Sequence, residues 1–171
     1  PMTFSTPVET PTRADITTAT LTDMGVLAYF TQGGGFDPST STPNYLYNEK
    51  VYKDGSGAWR YDNTRYWPVN PDDKGSFVAY APYNTPGVAL TPVNQAGYPQ
   101  ITYTAPTTGD GADLLASVPL MNENGGVIGL TMRHALTKVT IVLKNVEDAE
   151  MLPLIFYSLT IHSKGTGMLT F

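Results

Sequence analysis

Two histidines, His134 and His162, and three groups of acids are the side chains in this sequence whose types could carry chemistry. Zinc centres take three or four protein ligands, mostly Cys and His. With no cysteine and two histidines, the available donors are too few and too scattered. The missing cysteines also remove a disulfide framework and a thiol nucleophile. His134 falls in register with Leu130 and Met132, which turns it inward. It is expected to be a core histidine hydrogen-bonded to backbone, since buried polar groups are generally satisfied. The acids are Asp72 and Asp73, Asp110 and Asp113, and Glu147, Asp148 and Glu150. A glycosidase needs two carboxyls facing each other across about 5–10 Å. These acids occupy turn-like segments, where they are usually solvated or close an Asx turn. Asp110 and Asp113, on the Gly-rich stretch GDGADLL, are the better candidates for calcium, which favours hard oxygen ligands, but the EF-hand spacing is absent. Gly55-Ser56-Gly57 approaches the G-x-S-x-G elbow, yet it sits in a hairpin turn and not between a strand and a helix. Gly33–Gly35 and Gly125-Gly126 match neither dinucleotide nor P-loop spacing. The expectation is therefore no catalytic residue, no metal and no cofactor.

Aromatic residues are the other candidates. Trp59 and Trp67, with Tyr61, Tyr66, Tyr80 and Tyr83, could stack on sugar faces or fill a core. Core is the expectation, and Trp59 and Trp67 are the two to consider as a ligand platform.

The elements that would position these residues read as strands. Residues 1–15, rich in Thr and Pro, read as an extended leader with little intrinsic order. MGVLAYFT (24–31) is a strand running into the triple glycine, and 32–44 is a long loop. YLYNEKVYK, the turn DGSG at 54–57 and AWRYD form a hairpin, with Trp59 and Tyr61 on one face. RYWPVN ends a strand at Pro68, and SFVAYAPY (76–83) is a strand closed by Pro82. ITYTAP (101–106) is another strand, and Val118 to Leu120 reads as a short edge. Between Gly126 and Val146 the apolar residues are even-numbered through Leu136 and odd-numbered from Val139. One uninterrupted strand cannot keep both sets on one face, so a bulge, turn or change of sheet is expected near 135–138. Tyr157, Leu159 and Ile161 alternate, GTG turns, and a last strand begins at Met168. No apolar helical spacing exceeds two turns. Many short strands with frequent turns predict an all-β sandwich or barrel in one domain over residues 16–171.

Composition agrees. The 171 residues include 16 Gly and 14 Pro, with 15% charged residues and a net charge of −5. Nucleic-acid binding requires a basic footprint, and none is present. No stretch approaches the roughly 18 apolar residues of a membrane helix. No signal peptide is present and the sequence starts at Pro1, as expected of a processed or trimmed chain.

The order of several short motifs resembles the N-terminal domain of the Bacteroidales fimbrillin family, the type V pilus subunits and related surface lipoproteins. They are Phe4, then Pro11-Thr12-Arg13-Ala14; Trp59-Arg60-Tyr61; Tyr66-Trp67-Pro68; Phe77-Val78-Ala79-Tyr80-Ala81-Pro82; Asp113-Leu114-Leu115; Met132-Arg133-His134-Ala135-Leu136-Thr137-Lys138-Val139; and Gly167 with Met168 to Phe171. Met132 stands where the family usually has an aromatic residue. The resemblance implies a transthyretin-like β-sandwich of short antiparallel strands with long loops, exported to the outer membrane as a lipoprotein. It implies a structural subunit of a surface fimbria in adhesion, trimmed by an arginine- or lysine-specific protease and assembled by strand donation with other fimbrial subunits. Arg13 is then the candidate processing position, with the first strand after it. A surface lipoprotein binding glycan or host protein through aromatic loops is the alternative. The family's second sandwich is expected to be absent, because the chain ends at Phe171.

Overall fold

Strand-forming residues dominate the long apolar runs MGVLAYFT and SFVAYA, and the computed structural model is all-β over the residues it describes. It describes residues 1–9, 16–107, 111–136 and 165–171. The strands are β1 (Thr3–Ser5), β2 (Asp23–Thr31), β3 (Leu46–Lys53), β4 (Trp59–Arg60), β5 (Lys74–Ala81), β6 (Val88–Leu90), β7 (Gln100–Thr104), β8 (Leu115–Ser117), β9 (Leu120–Glu123), β10 (Val127–Gly129), β11 (Met132–His134) and β12 (Thr166–Thr170). The central sheet runs β11-β8-β5-β2-β3-β4, with β9 also paired to β5. A three-stranded sheet, β12-β7-β6, and a two-stranded one, β1-β10, accompany it. This is the layered β-sandwich organisation the strand pattern predicts.

The layers follow from side-chain alternation. On β2, Met24, Val26 and Ala28 face a core shared with Phe77, Ala79, Ile128, Leu130 and Met132. The intervening Leu27 and Tyr29 pack with Val78 on the opposite face, against Phe36, Leu90 and Phe171. A strand buried on both faces reads as a continuous apolar run, and MGVLAYF does. One irregularity interrupts it. Val26 pairs with Glu49 but Ala28 with Leu46, so β3 carries an extra residue. Asn48 takes the left-handed backbone there, at φ 49°. A bulge residue tolerates that conformation when its side chain is short and polar. Asn48 Oδ1 accepts the Tyr80 hydroxyl at 2.8 Å. Gly25 must stay small, because a Cβ there would meet Tyr80 Cε1 at 2.4 Å.

Several expectations change in the structure. Tyr66 and Trp67 lie in a loop and not on a strand, because residues 61–73 carry no ladder pairing. Val118 and Pro119 separate β8 from β9 and do not begin a strand. The last strand starts at Thr166, so Gly167 belongs to it. The parity change expected near 135–138 falls at the end of the described residues. Its even-numbered half is clear: Ile128, Leu130 and Met132 are all buried in one core.

Candidate functional site

The first nine residues hold the arrangement that matters most. In place of a loose leader, residues 2–8 bury every second side chain: Met2, Phe4, Thr6 and Val8 are 2, 7, 5 and 7% exposed. That is a strict period of two, the signature of a strand lying on a core. Its partners are β10 and β11. Thr3, Phe4 and Ser5 register with Val127, Ile128 and Gly129 in parallel, and Val8 bridges Met132 in the same sense. Every other strand pair among the described residues is antiparallel. The Leu130 and Met132 N–H groups donate to Ser5 and Pro7 carbonyls, each at 2.9 Å, and Glu9 N–H returns a bond to Met132 O at 2.9 Å. Pro7 lacks an N–H, which costs nothing here because its carbonyl alone is used.

Both ends of the seat are fixed. At one end, Met2 N–H donates to Arg65 O at 2.9 Å. Phe4 meets Tyr61 edge-on with ring centroids 5.3 Å apart, and the Tyr61 hydroxyl donates to Arg65 O at 3.1 Å. At the other, Thr18 Oγ1 accepts Val8 N–H at 2.9 Å. Glu9 forms a two-bond pair with Arg133, Nε to Oε2 at 2.9 Å and Nη2 to Oε1 at 3.1 Å. The guanidinium of Arg133 is held above its usual range by that hydrogen bond and charge. Three apolar side chains on this segment, Met2, Phe4 and Val8, supply burial of about 1.5–3 kcal/mol each.

Of the residues singled out from sequence, Trp59, Tyr61 and Trp67 pack against the core under this seat, whereas Tyr80 and Leu114 belong to a second cluster. Trp67 packs edge-on against Phe77, with ring centroids 5.6 Å apart, and its indole N–H donates to Gly126 O at 2.9 Å. Trp59 is half-buried with Lys53 Nζ 5.2 Å from its ring centroid. Tyr66 is exposed, and its carbonyl accepts the Tyr45 hydroxyl. Pro68 continues that loop. Tyr80 is buried, its hydroxyl bonded to Asn48 and accepting Asn84 N–H at 3.3 Å, and burial raises its pKa above the phenol's ordinary value. Pro82 follows the end of β5, and its carbonyl accepts the Thr85 hydroxyl at 2.7 Å. Leu114 is buried with Tyr80, Ile101 and Tyr103, whereas Leu136 is exposed. Arg13, Asp110, Val139, Glu147, Asp148, Glu150 and His162 lie outside the described residues.

His134 corrects one expectation. Its partner is a carboxylate and not backbone: Nδ1 lies 2.7 Å from Asp113 Oδ1. Asp113 uses its other oxygen to accept Ile16 N–H at 3.0 Å. Asp113 is thereby committed to protein partners. The buried Nε2 of His134 has no hydrogen-bond partner among the described residues. Ser117 occupies the same face of the β8–β11 pair, but its Oγ accepts Ala79 N–H at 2.8 Å. An acid–histidine pair is present, and the hydroxyl on its face is occupied by the sheet. Asp72 is exposed in a turn in which Asn70 Oδ1 accepts its N–H at 3.1 Å. Among the described residues no three His, Asp or Glu side chains gather as a metal site.

Sequence reasoning missed the seat because the leader's Thr and Pro content masks its alternation. The signal was present as Met2, Phe4, Thr6 and Val8, with polar or prolyl residues between.

A family model described as fimbrillin-like matches residues 12–168. The chain is similar to the fimbrium subunit Fim1C of Phocaeicola vulgatus, with 32% identity covering 73% of this chain and 38% of that protein. It also resembles the crystal structure of a fimbrial protein from Bacteroides vulgatus, with a TM-score of 0.64 and 30% identity, covering 77% of this chain and 45% of that one. The chain thus spans less than half the length of each of these relatives.

Proposed function

Because this chain belongs to the fimbrillin-like family, we propose that it serves as a structural subunit of a bacterial surface fimbria, joined to other fimbrial subunits by strand donation. The observation that carries this reading is the seat of residues 2–8. A donated strand needs a row of backbone partners for affinity and alternating pockets for register. The seat offers both, through Leu130, Met132 and the core beneath Met2, Phe4, Thr6 and Val8. The leader occupies it within the chain, and a strand of like alternation from a neighbour would replace it.

In this reading the leader is residues 1–15 and the assembling domain residues 16–171, and cutting after the processing position Arg13 frees residues 1–13. Display on the cell surface, with export as a lipoprotein, belongs to the same proposal. The likeness to fimbrium subunits supports a structural role over turnover. Binding of glycan or host protein through aromatic loops has less support, since the Trp67 indole is tied to Gly126 and Lys53 sits over the Trp59 ring.

The test is to treat the full-length subunit with an Arg-specific protease and follow both the N-terminus and the assembly state. Removal of the leader followed by a ladder of detergent-resistant oligomers is the expected result. A subunit that loses its leader and stays monomeric at high concentration counts decisively against the reading.

A further inference from the structure

Arg133 and His134 are consecutive on β11, so they point to opposite sides of the strand. Each serves a different side of the 10–15 connection. Arg133 holds Glu9, the residue before it, by two charge-assisted bonds. His134 holds Asp113, whose second oxygen takes the N–H of Ile16, the residue after it. From Ile16 the chain makes a turn stabilised by Thr17 and Thr20, and Thr18 Oγ1 in that turn caps Val8 N–H.

We propose that this pair of contacts is a clasp that anchors the two sides of the 10–15 connection separately, so that cutting the connection does not unseat residues 1–9. The leader then stays bound as a noncovalent strand, and its departure is a second step governed by the Glu9–Arg133 pair. The inference rests on the assembly reading above and specifies its regulation. Hydrolysis of the Arg13–Ala14 bond adds one water, leaving a carboxylate on Arg13 and an amine on Ala14. It breaks none of the contacts that seat residues 2–9. The new N-terminus remains tied to the domain through Ile16 and Asp113.

The Glu9–Arg133 pair is the adjustable part because it is exposed, with side chains 55 and 61% accessible. Salt screens such pairs, whereas the buried anchors Met2, Phe4 and Val8 are insensitive to it. Release is therefore salt-dependent on top of a slow, salt-independent base.

The experiment uses the whole chain carrying, within residues 10–15, the site of a sequence-specific protease with no other target in the sequence. After complete cutting, native mass spectrometry and gel filtration follow the N-terminal fragment. The fragment is expected to co-elute with the remainder. Glu9→Gln and Arg133→Gln should each speed its release about two- to fivefold, the range for an exposed pair of good geometry. Raising the salt to about 1 M should do the same to the unaltered pair and nothing to either variant. The exchanged pair, Glu9→Arg with Arg133→Glu, should restore slow release. Immediate loss of the fragment on cutting, or release indifferent to these variants and to salt, overturns the clasp. The readout precedes assembly, so the two readings fail separately. A retained leader whose later removal yields no polymer defeats the subunit reading alone, and prompt loss followed by polymer defeats the clasp alone.

Discussion

Strands β1 and β2 are both buried, but by opposite means. β2 lies between two antiparallel neighbours, registers with β5 from Gly25 to Thr31, and buries side chains on both faces. β1 registers with β10 over three residues, in parallel, and buries one face while Thr3 and Ser5 stay exposed. Parallel pairing is slightly weaker per residue than antiparallel. The contrast separates a strand that cannot leave without dismantling the fold from one that can be exchanged. Single-sided burial and pairing along one edge are the physical conditions for a removable element.

The comparison is broken most forcefully from the permanent side. Phe77→Ala removes a fully buried ring from the core beside β2 and should cost about 3–5 kcal/mol of global stability, read by denaturant unfolding. A cost under about 1 kcal/mol would mean that β5 is not part of the irreplaceable core. Phe4→Ala empties the corresponding pocket under β1 at about 3 kcal/mol, but the loss should be local. Hydrogen exchange should speed at the Leu130 and Met132 amides while β2 amides keep their protection. Equal loss in both regions would make the leader part of one cooperative unit.

Alkaline pH sharpens the same contrast. Burial, with a smaller effect of Tyr47, pushes the Tyr29 hydroxyl up from 10.0 to about 12. The folded state therefore favours the protonated phenol. Its stabilisation is complete below pH 10 and disappears as pH rises from about 10 to about 12, a loss of about 2–3 kcal/mol at most. Tyr29→Phe should flatten that decline, and it should not weaken the fold at neutral pH, since the hydroxyl has no partner among the described residues. Persistence of the decline in the variant would assign it to other tyrosines. The smallest effect belongs to Lys53→Ala, which lifts a cation from the Trp59 ring at the sheet edge. About 0.5–1 kcal/mol is expected in thermal unfolding, and a larger value would place that edge within the core.

Much of the central sheet was legible because its residues obey one rule at a time. MGVLAYFT and SFVAYA read as strands, and DGSG between aromatic runs reads as a hairpin. The short strands were harder. β6 and β9 hold three and four residues, too few for a period to show. Tyr66 and Trp67 look like strand residues, yet Tyr66 is exposed in a loop while Trp67 turns in to meet Phe77. The motif residues Asp113 and His134 were visible as types, but their 2.7 Å pairing joins positions 21 residues apart in sequence.

By itself the sequence determined that this chain forms layered strands and that no cysteine chemistry is open to it, since residue types and a period of two are local properties. Only the tertiary structure decided that the first nine residues complete the core and do not trail from it. Whether Met2, Phe4, Thr6 and Val8 are buried depends on β10 and β11 lying beside them, more than a hundred residues away. Backbone pairing over that distance is set by the closing of the whole fold, so the local alternation can mark a strand but cannot name its partner.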